Sequence, residues 1–353
     1  MPDATQIADL LAVPQTDRGL DWLKQALQTA ARLEFATIPP YLCAMWSIKS
    51  GAGQAYDHLR EVVMEEMLHL GLVCNMLTAI GGTPKLDPDA APTYPAPLPG
   101  GVRPGLIVPL KGLTQDGIKD VFMEIEKPQH PISGVDPAGE MDSTIGDFYD
   151  AVLAVFKAPE VTITETRQLE WDIPVSGDGV APLFKITSKA DVEKAIGRIK
   201  EQGEGTTTSP TAPSPFDTSK QIPGDLAHYF RFAELYHEKK IVVGPNQEVT
   251  YTGADIPFSA DDCYPMAEEP PGGYPVADGD TEVKGWLADF TTQYKAMLGY
   301  LQSAWAQDDG SAALGKSISS MRKMKTFARK LMAKPLPSGA GNYGPSFRIV
   351  GQG

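Results

Sequence analysis

The sequence holds only three cysteines, Cys43, Cys74 and Cys263, widely spaced and without a C-x-x-C pair. An odd, scattered set excludes a disulfide framework and a thiolate zinc site. Free thiols in a reducing compartment are expected instead. Basic blocks are lacking too. The nearest is Arg322-Lys323-Met324-Lys325 with Arg329-Lys330, which reads as the solvated face of a C-terminal helix. With a formal charge of −14, nucleic acid is not expected as a partner, because phosphate binding needs a basic surface. No run reaches the ~20 apolar residues that span a bilayer. Residues 1–20 lack the basic and apolar regions of a signal peptide. A cytoplasmic location away from membranes is the resulting expectation.

Glycine and proline are plentiful, at 34 and 31 of 353 residues, so long loops should separate the regular elements. Residues 21–41 read as a helix that stops at Pro39-Pro40, with an apolar row Leu20, Leu23, Leu27, Ala30, Ala31 leading to Glu34. Residues 54–80 read as a second helix ended by Gly81-Gly82. Its row is Leu59, Val62, Glu66, His69, Val73, Met76. Short helices are expected at 113–125 and 144–157, and short strands or extended loops at 161–186. A third strong helix covers 188–201, started by Ser188 and Asp191. A fourth covers 225–240, with the row Asp225, His228, Phe232, Leu235, and two more follow at 283–306 and 312–332. The fold is expected to be mainly α: a four-helix bundle with long Pro/Gly-rich loops and a small extended insertion at about 83–187. Residues 1–245 would form the bundle, and 246–353 would add loops and two helices packed on it.

A carboxylate in the apolar row of a helix is costly unless a partner or a metal compensates it. Glu34 and Glu66 both occupy such rows. His69 lies one turn beyond Glu66, on the same face. One helix giving Glu and the next Glu-x-x-His is the ligand scheme of two-metal carboxylate bundles, in which the second helix pair repeats the pattern. In the second half Glu204 or Glu201 would be the lone acid, and Asp225 with His228 the acid-x-x-His. Glu234-Leu235-Tyr236-His237 has the same spacing but lies on a more hydrophilic stretch. Any one of these residues alone reads equally well as an ion pair, a solvated acidic face or a core histidine. Their weight is joint: two of the five histidines fall beside acids on buried rows. Carboxylate and imidazole donors suit two iron ions, or manganese. Tyr149 and Tyr229 are candidate pocket residues, and Arg231 is a candidate partner of a ligand carboxylate.

Three stretches carry a family resemblance: Leu33-Glu34-Phe35-Ala36-Thr37-Ile38-Pro39-Pro40-Tyr41-Leu42, Glu65-Glu66-Met67-Leu68-His69-Leu70, and Asn75-Met76-Leu77-Thr78-Ala79-Ile80-Gly81-Gly82. Thr144-Ile145-Gly146-Asp147-Phe148-Tyr149, Gln202-Gly203-Glu204-Gly205 and His228-Tyr229-Phe230-Arg231-Phe232 extend it. Together they resemble the ferritin-like domain of iminophenyl-pyruvate dimer synthases, enzymes of bisindole pigment pathways such as that of violacein, of which this chain would be a shorter member. The resemblance implies a ferritin-like bundle with metal ligands at Glu34, Glu66, His69, Glu204 and His228.

The expected function is a dinuclear non-haem iron oxidase or oxygenase. Its partners would be dioxygen or peroxide and a small organic molecule, such as an imine derived from an amino acid. A homo-oligomer is compatible with the sequence. A manganese catalase-like or iron-handling protein is one alternative, although long loops favour a substrate pocket over a storage cage. A metal-free helical scaffold is the other.

Overall fold

In the computed structural model the described residues are 6–127, 145–174, 180–203, 211–212, 225–243 and 249–349. Two long helices form the centre, α2 (Leu20–Ser47) and α3 (Gln54–Ala79), after a short α1 (Ile7–Ala12). The six-residue link at 48–53 returns α3 along α2. Every residue from Leu33 to Ser47, and from Leu68 to Ala79, is buried, so both helices are covered on all sides there. By length and composition α3 would suffice to cross a membrane, but most of it is buried within the fold.

The helix expected to stop at Pro39-Pro40 instead runs through both prolines to Ser47. A proline inside a helix removes an N–H and crowds the preceding turn, at a cost of about 3 kcal/mol. Here the Pro40 nitrogen would have served the carbonyl of Ala36. That carbonyl accepts a hydrogen bond from the Tyr94 hydroxyl at 2.7 Å instead. Burial of the surrounding residues Ile38, Tyr41 and Leu42 offsets the rest.

Smaller elements surround this pair. α4 (Gln115–Gly117) passes through a π turn (Ile118–Phe122) into α5 (Met123–Ile125). α6 (Ile145–Phe156) packs on α2, and α7 (Lys189–Gly203) packs on α3 and α6. α8 (His228–His237) packs on α3 and on the π turn. The fourth helix is shorter than expected, because Asp225–Leu226 is a strand paired with Thr211–Ala212. Ser188 and Asp191 start α7 as anticipated: the Asp191 carboxylate accepts from the Ser188 N–H at 2.9 Å, and the Ser188 hydroxyl accepts from the Asp191 N–H at 3.2 Å.

The extended insertion contains an antiparallel hairpin, Trp171–Pro174 against Val180–Leu183. Buried Asn75 of α3 ties it down, donating to the carbonyls of Leu169 and Phe184 and accepting from the Leu169 N–H. Trp305 Nε1 donates to the same Asn75 oxygen. That contact joins the end of α9 (Thr281–Ala304) to the centre. α9 and α10 (Ser311–Met332) form a second hairpin, with α10 against α2.

Candidate metal centre

The middle of α2 places Glu34 and Thr37 one turn apart, and α3 places Glu66 and His69 opposite them. α5 ends beside Glu126, and α8 begins with His228. Glu34, Glu66 and His69 form one cluster of facing donor atoms, and Glu66, Glu126 and His228 form a second. Glu66 belongs to both. Its Oε1 lies 3.9 Å from His69 Nδ1 and 2.9 Å from His228 Nδ1. Glu34 Oε2 is 3.6 Å from His69 Nδ1, and Glu126 Oε2 is 3.5 Å from His228 Nδ1. The two imidazoles stack with centroids 5.5 Å apart.

Each carboxylate has one oxygen anchored and the other aimed inward. Tyr149 donates its hydroxyl to Glu34 Oε1 at 2.5 Å, Thr37 to Glu66 Oε2 at 2.6 Å, and Tyr41 to Glu126 Oε1 at 2.6 Å. Burial first, then the nearby carboxylate charges, holds the Tyr41 and Tyr149 hydroxyls far above their ordinary pKa, so both remain donors. The three inward oxygens face the two Nδ1 atoms.

Each histidine also has an outward contact. His69 Nε2 meets Gln202 Oε1 of α7 at 2.9 Å, and His228 Nε2 meets Glu65 Oε2 at 3.0 Å. An Nε2–H donated outward leaves Nδ1 as a lone pair. Acceptors then point at acceptors, which is repulsive unless a proton or a cation sits between them. His228 Nδ1 is fully buried and has no hydrogen bond of acceptable geometry, despite the Glu66 oxygen at 2.9 Å. This orphaned donor atom and the carboxylate–imidazole set fit a pair of hard or borderline metal ions.

The electrostatics agree. Burial and the Glu126 charge push Glu66 above the ordinary carboxylate range. Burial alone would lower both imidazoles, yet the surrounding carboxylates hold His69 and His228 above the usual value. The pocket therefore calls for positive charge. Glu65 differs. Burial acts to raise it, but Arg231 at 3.6 Å and the His228 hydrogen bond outweigh burial and bring it down to about 2. Arg231 also pairs with Glu61.

A cavity of about 60 Å³ opens onto Glu34, Glu66, His69 and Glu126, enough for several waters or the reactive end of a small ligand. Its apolar lining includes Leu33, Leu98, Ile145 and Ile199, and Arg103, Lys127 and Lys200 line it as well. Lys127 pairs outward with Glu124 at 3.1 Å, and Lys200 with Asp150 at 2.7 Å.

Among the residues expected from the sequence, Glu34, Glu66, His69 and His228 come together. Glu204 lies outside the described residues, as does the side chain of Asp225, whose backbone is in a strand. Glu201 is half-buried on α7 and belongs to neither donor cluster. Tyr149 lines the cavity, whereas Tyr229 packs against Phe230 in a separate apolar cluster. The alternative pair Glu234 and His237 is not at the centre. Glu234 binds His58 and Lys240, and His237 stacks on Tyr251. Arg231 pairs with Glu65 and Glu61 rather than with a facing carboxylate.

Glu126 was missed by reasoning from the sequence. The helix expected at 113–125 ended one residue short of it. The signal that found Glu34 was present here too, because Glu126 follows the buried row Ile118, Phe122, Ile125.

A solved structure of a ferritin-like protein from Caulobacter vibrioides matches this chain with a TM-score of 0.59 and 20% identity, covering 92% of this chain and 97% of that one. At that identity the likeness speaks for the fold. No curated protein matches. The ferritin-like family profile matches residues 27–237, more than half of the chain. That span runs from the helix of Glu34 to the end of the helix of His228, and the chain belongs to the ferritin-like family.

Proposed function

We propose that this protein is a dinuclear non-haem metal oxidase or oxygenase acting on a small organic anion. The observation that carries this reading is the pair of carboxylate–Nδ1 sets sharing Glu66. Glu34, Glu66 and His69 would hold one ion, and Glu66, Glu126 and His228 the other. Glu204, implied by the family resemblance, would be an added ligand. Iron is preferred and manganese is the alternative, since mixed carboxylate and imidazole donors suit both. Such ions supply redox chemistry toward dioxygen or peroxide.

The chain's own residues do the rest. Tyr149, Thr37 and Tyr41 each fix one carboxylate oxygen, so the other is presented in one direction. Leu33, Leu98, Ile145 and Ile199 make the cavity wall apolar and disfavour bulk water. Arg103, Lys127 and Lys200 line the same cavity, and a carboxylate-bearing substrate would compete with Glu124 and Asp150 for the two lysines. A 2-imino acid derived from an amino acid has that form, in line with the likeness to iminophenyl-pyruvate dimer synthases. The cavity favours an organic substrate over iron storage. No nucleic acid or membrane partner is proposed.

The test is metal analysis of protein expressed with iron and manganese both present, followed by oxygen consumption with and without amino acids and their 2-imino acids. About two metal equivalents and oxygen uptake stimulated by one substrate class are expected. Two equivalents with unstimulated uptake would favour an iron-handling or catalase-like role. Absence of stoichiometric metal would leave a helical scaffold.

A further inference from the structure

The two halves of the centre differ in what stands behind each imidazole. His69 Nε2 faces the neutral amide oxygen of Gln202 at 2.9 Å. His228 Nε2 faces the Glu65 carboxylate at 3.0 Å, and Glu65 is braced by Arg231, which pairs in turn with Glu61. A carboxylate accepting from the outer nitrogen makes the inner nitrogen a stronger donor to a metal than an amide does, and it fixes the ring more firmly. Access differs only at the imidazoles: His228 lines no part of the cavity and His69 does, while Glu34, Glu66 and Glu126 all line it.

From the contrast behind the two imidazoles we infer that the metal positions are unequal: the Glu66–Glu126–His228 position is tight and filled first, and the Glu34–Glu66–His69 position is weaker and exchangeable. Glu65 is the positioning residue that sets the difference, acting through His228. The inference rests on the two-metal reading and adds an order of filling to it.

The measurement is a titration of metal-free protein with Mn(II) alone, followed by calorimetry and by the electron paramagnetic resonance signal of unbound Mn(II). Wild type should take up two ions in two steps at least about tenfold apart in affinity. Glu65→Gln keeps the shape of the side chain and removes its charge. It should weaken the first step by roughly 10–100-fold, the usual effect of losing such a partner, and leave the second within about threefold. His69→Ala should abolish the second step and keep the first, which holds the test open if Glu65→Gln folds poorly by circular dichroism. Two ions bound with equal affinity in wild type would overturn the inference while leaving the two-metal reading intact. So would a first step lost in His69→Ala, or a Glu65→Gln effect confined to the second step. No binding in wild type would remove both.

Discussion

The centre is built from two kinds of material. Glu34 and His69 sit on long, continuous helices of 28 and 26 residues, buried on every side at that level. Glu126 and His228 sit at the ends of short pieces: one follows a π turn and a three-residue helix, the other opens a ten-residue helix directly after a strand. Long helices hold their ligands by regular packing along many turns. The short pieces have no such length and lean more on individual hydrogen bonds, Tyr41 donating to Glu126 and His228 to Glu65. Both halves carry polar anchors, Tyr149 on Glu34 and Gln202 behind His69 among them, but only one half adds the regular packing of long helices.

Glu66 joins the halves, and its removal has the largest expected effect. Glu66→Ala takes one oxygen from both donor clusters. Metal content should fall from about two equivalents to near zero, with oxygen-dependent activity lost. Retention of one tightly held ion would show that one half assembles a site without the shared carboxylate.

Glu126→Ala sharpens the contrast one level down. It removes a donor of the short-piece half only, so about one equivalent of metal should be lost and one kept by mass spectrometry. Glu201→Ala, in neither donor cluster, should keep both. If Glu201→Ala loses metal and Glu126→Ala does not, the third carboxylate of the centre is Glu201.

The same contrast explains what could be read from the sequence. Glu34, Glu66 and His69 were legible because they continue apolar rows of period 3.6, long enough for an acid to stand out. His228 was legible beside Phe232 and Leu235. Glu126 was not, because it lies just past the last helical residue, Ile125, after a π turn and a row of only three apolar positions. The path of α2 through Pro39-Pro40 was illegible for another reason. It depends on Tyr94, 54 residues beyond Pro40, which no local pattern links to Ala36. Glu65 and Gln202 were hidden as well, since an acid next to Glu66 and an amide near a glycine pair look ordinary until the fold brings them to Nε2 atoms.

Tyr94→Phe tests whether the long-helix half is as self-sufficient as its packing suggests. The variant leaves the Ala36 carbonyl buried without its donor, a cost of about 1–3 kcal/mol. Chemical denaturation should show that loss, with metal stoichiometry unchanged, because Glu34 lies upstream of the proline pair. A drop in metal content would mean that the double-proline turn positions Glu34, so that the packing of α2 upstream does not hold this ligand by itself.

The smallest expected effect is at the start of α7, whose other end carries Gln202. Asp191 accepts from the backbone N–H groups of Thr187 and Ser188 at 3.0 and 2.9 Å. Slight burial acts to raise its pKa, but these bonds and those from the two hydroxyls outweigh it and hold the carboxyl below its ordinary value. A depressed carboxylate stabilises the fold fully above the unfolded-state pKa of about 3.9, and that contribution is lost as pH falls through the lower folded value. Asp191→Ala should therefore cost roughly 0.5–1 kcal/mol at pH 7, the range of a single helix cap. The gap from wild type should close as pH drops below about 3.9. Denaturant midpoints at several pH values would read this directly. Metal content should not change, because the Gln202 contact lies three turns away on the packed end of the helix. A pH-independent gap would assign the effect to something other than the ionised carboxylate. Lost metal would show that a short piece moves as a unit, so that its far end senses its start.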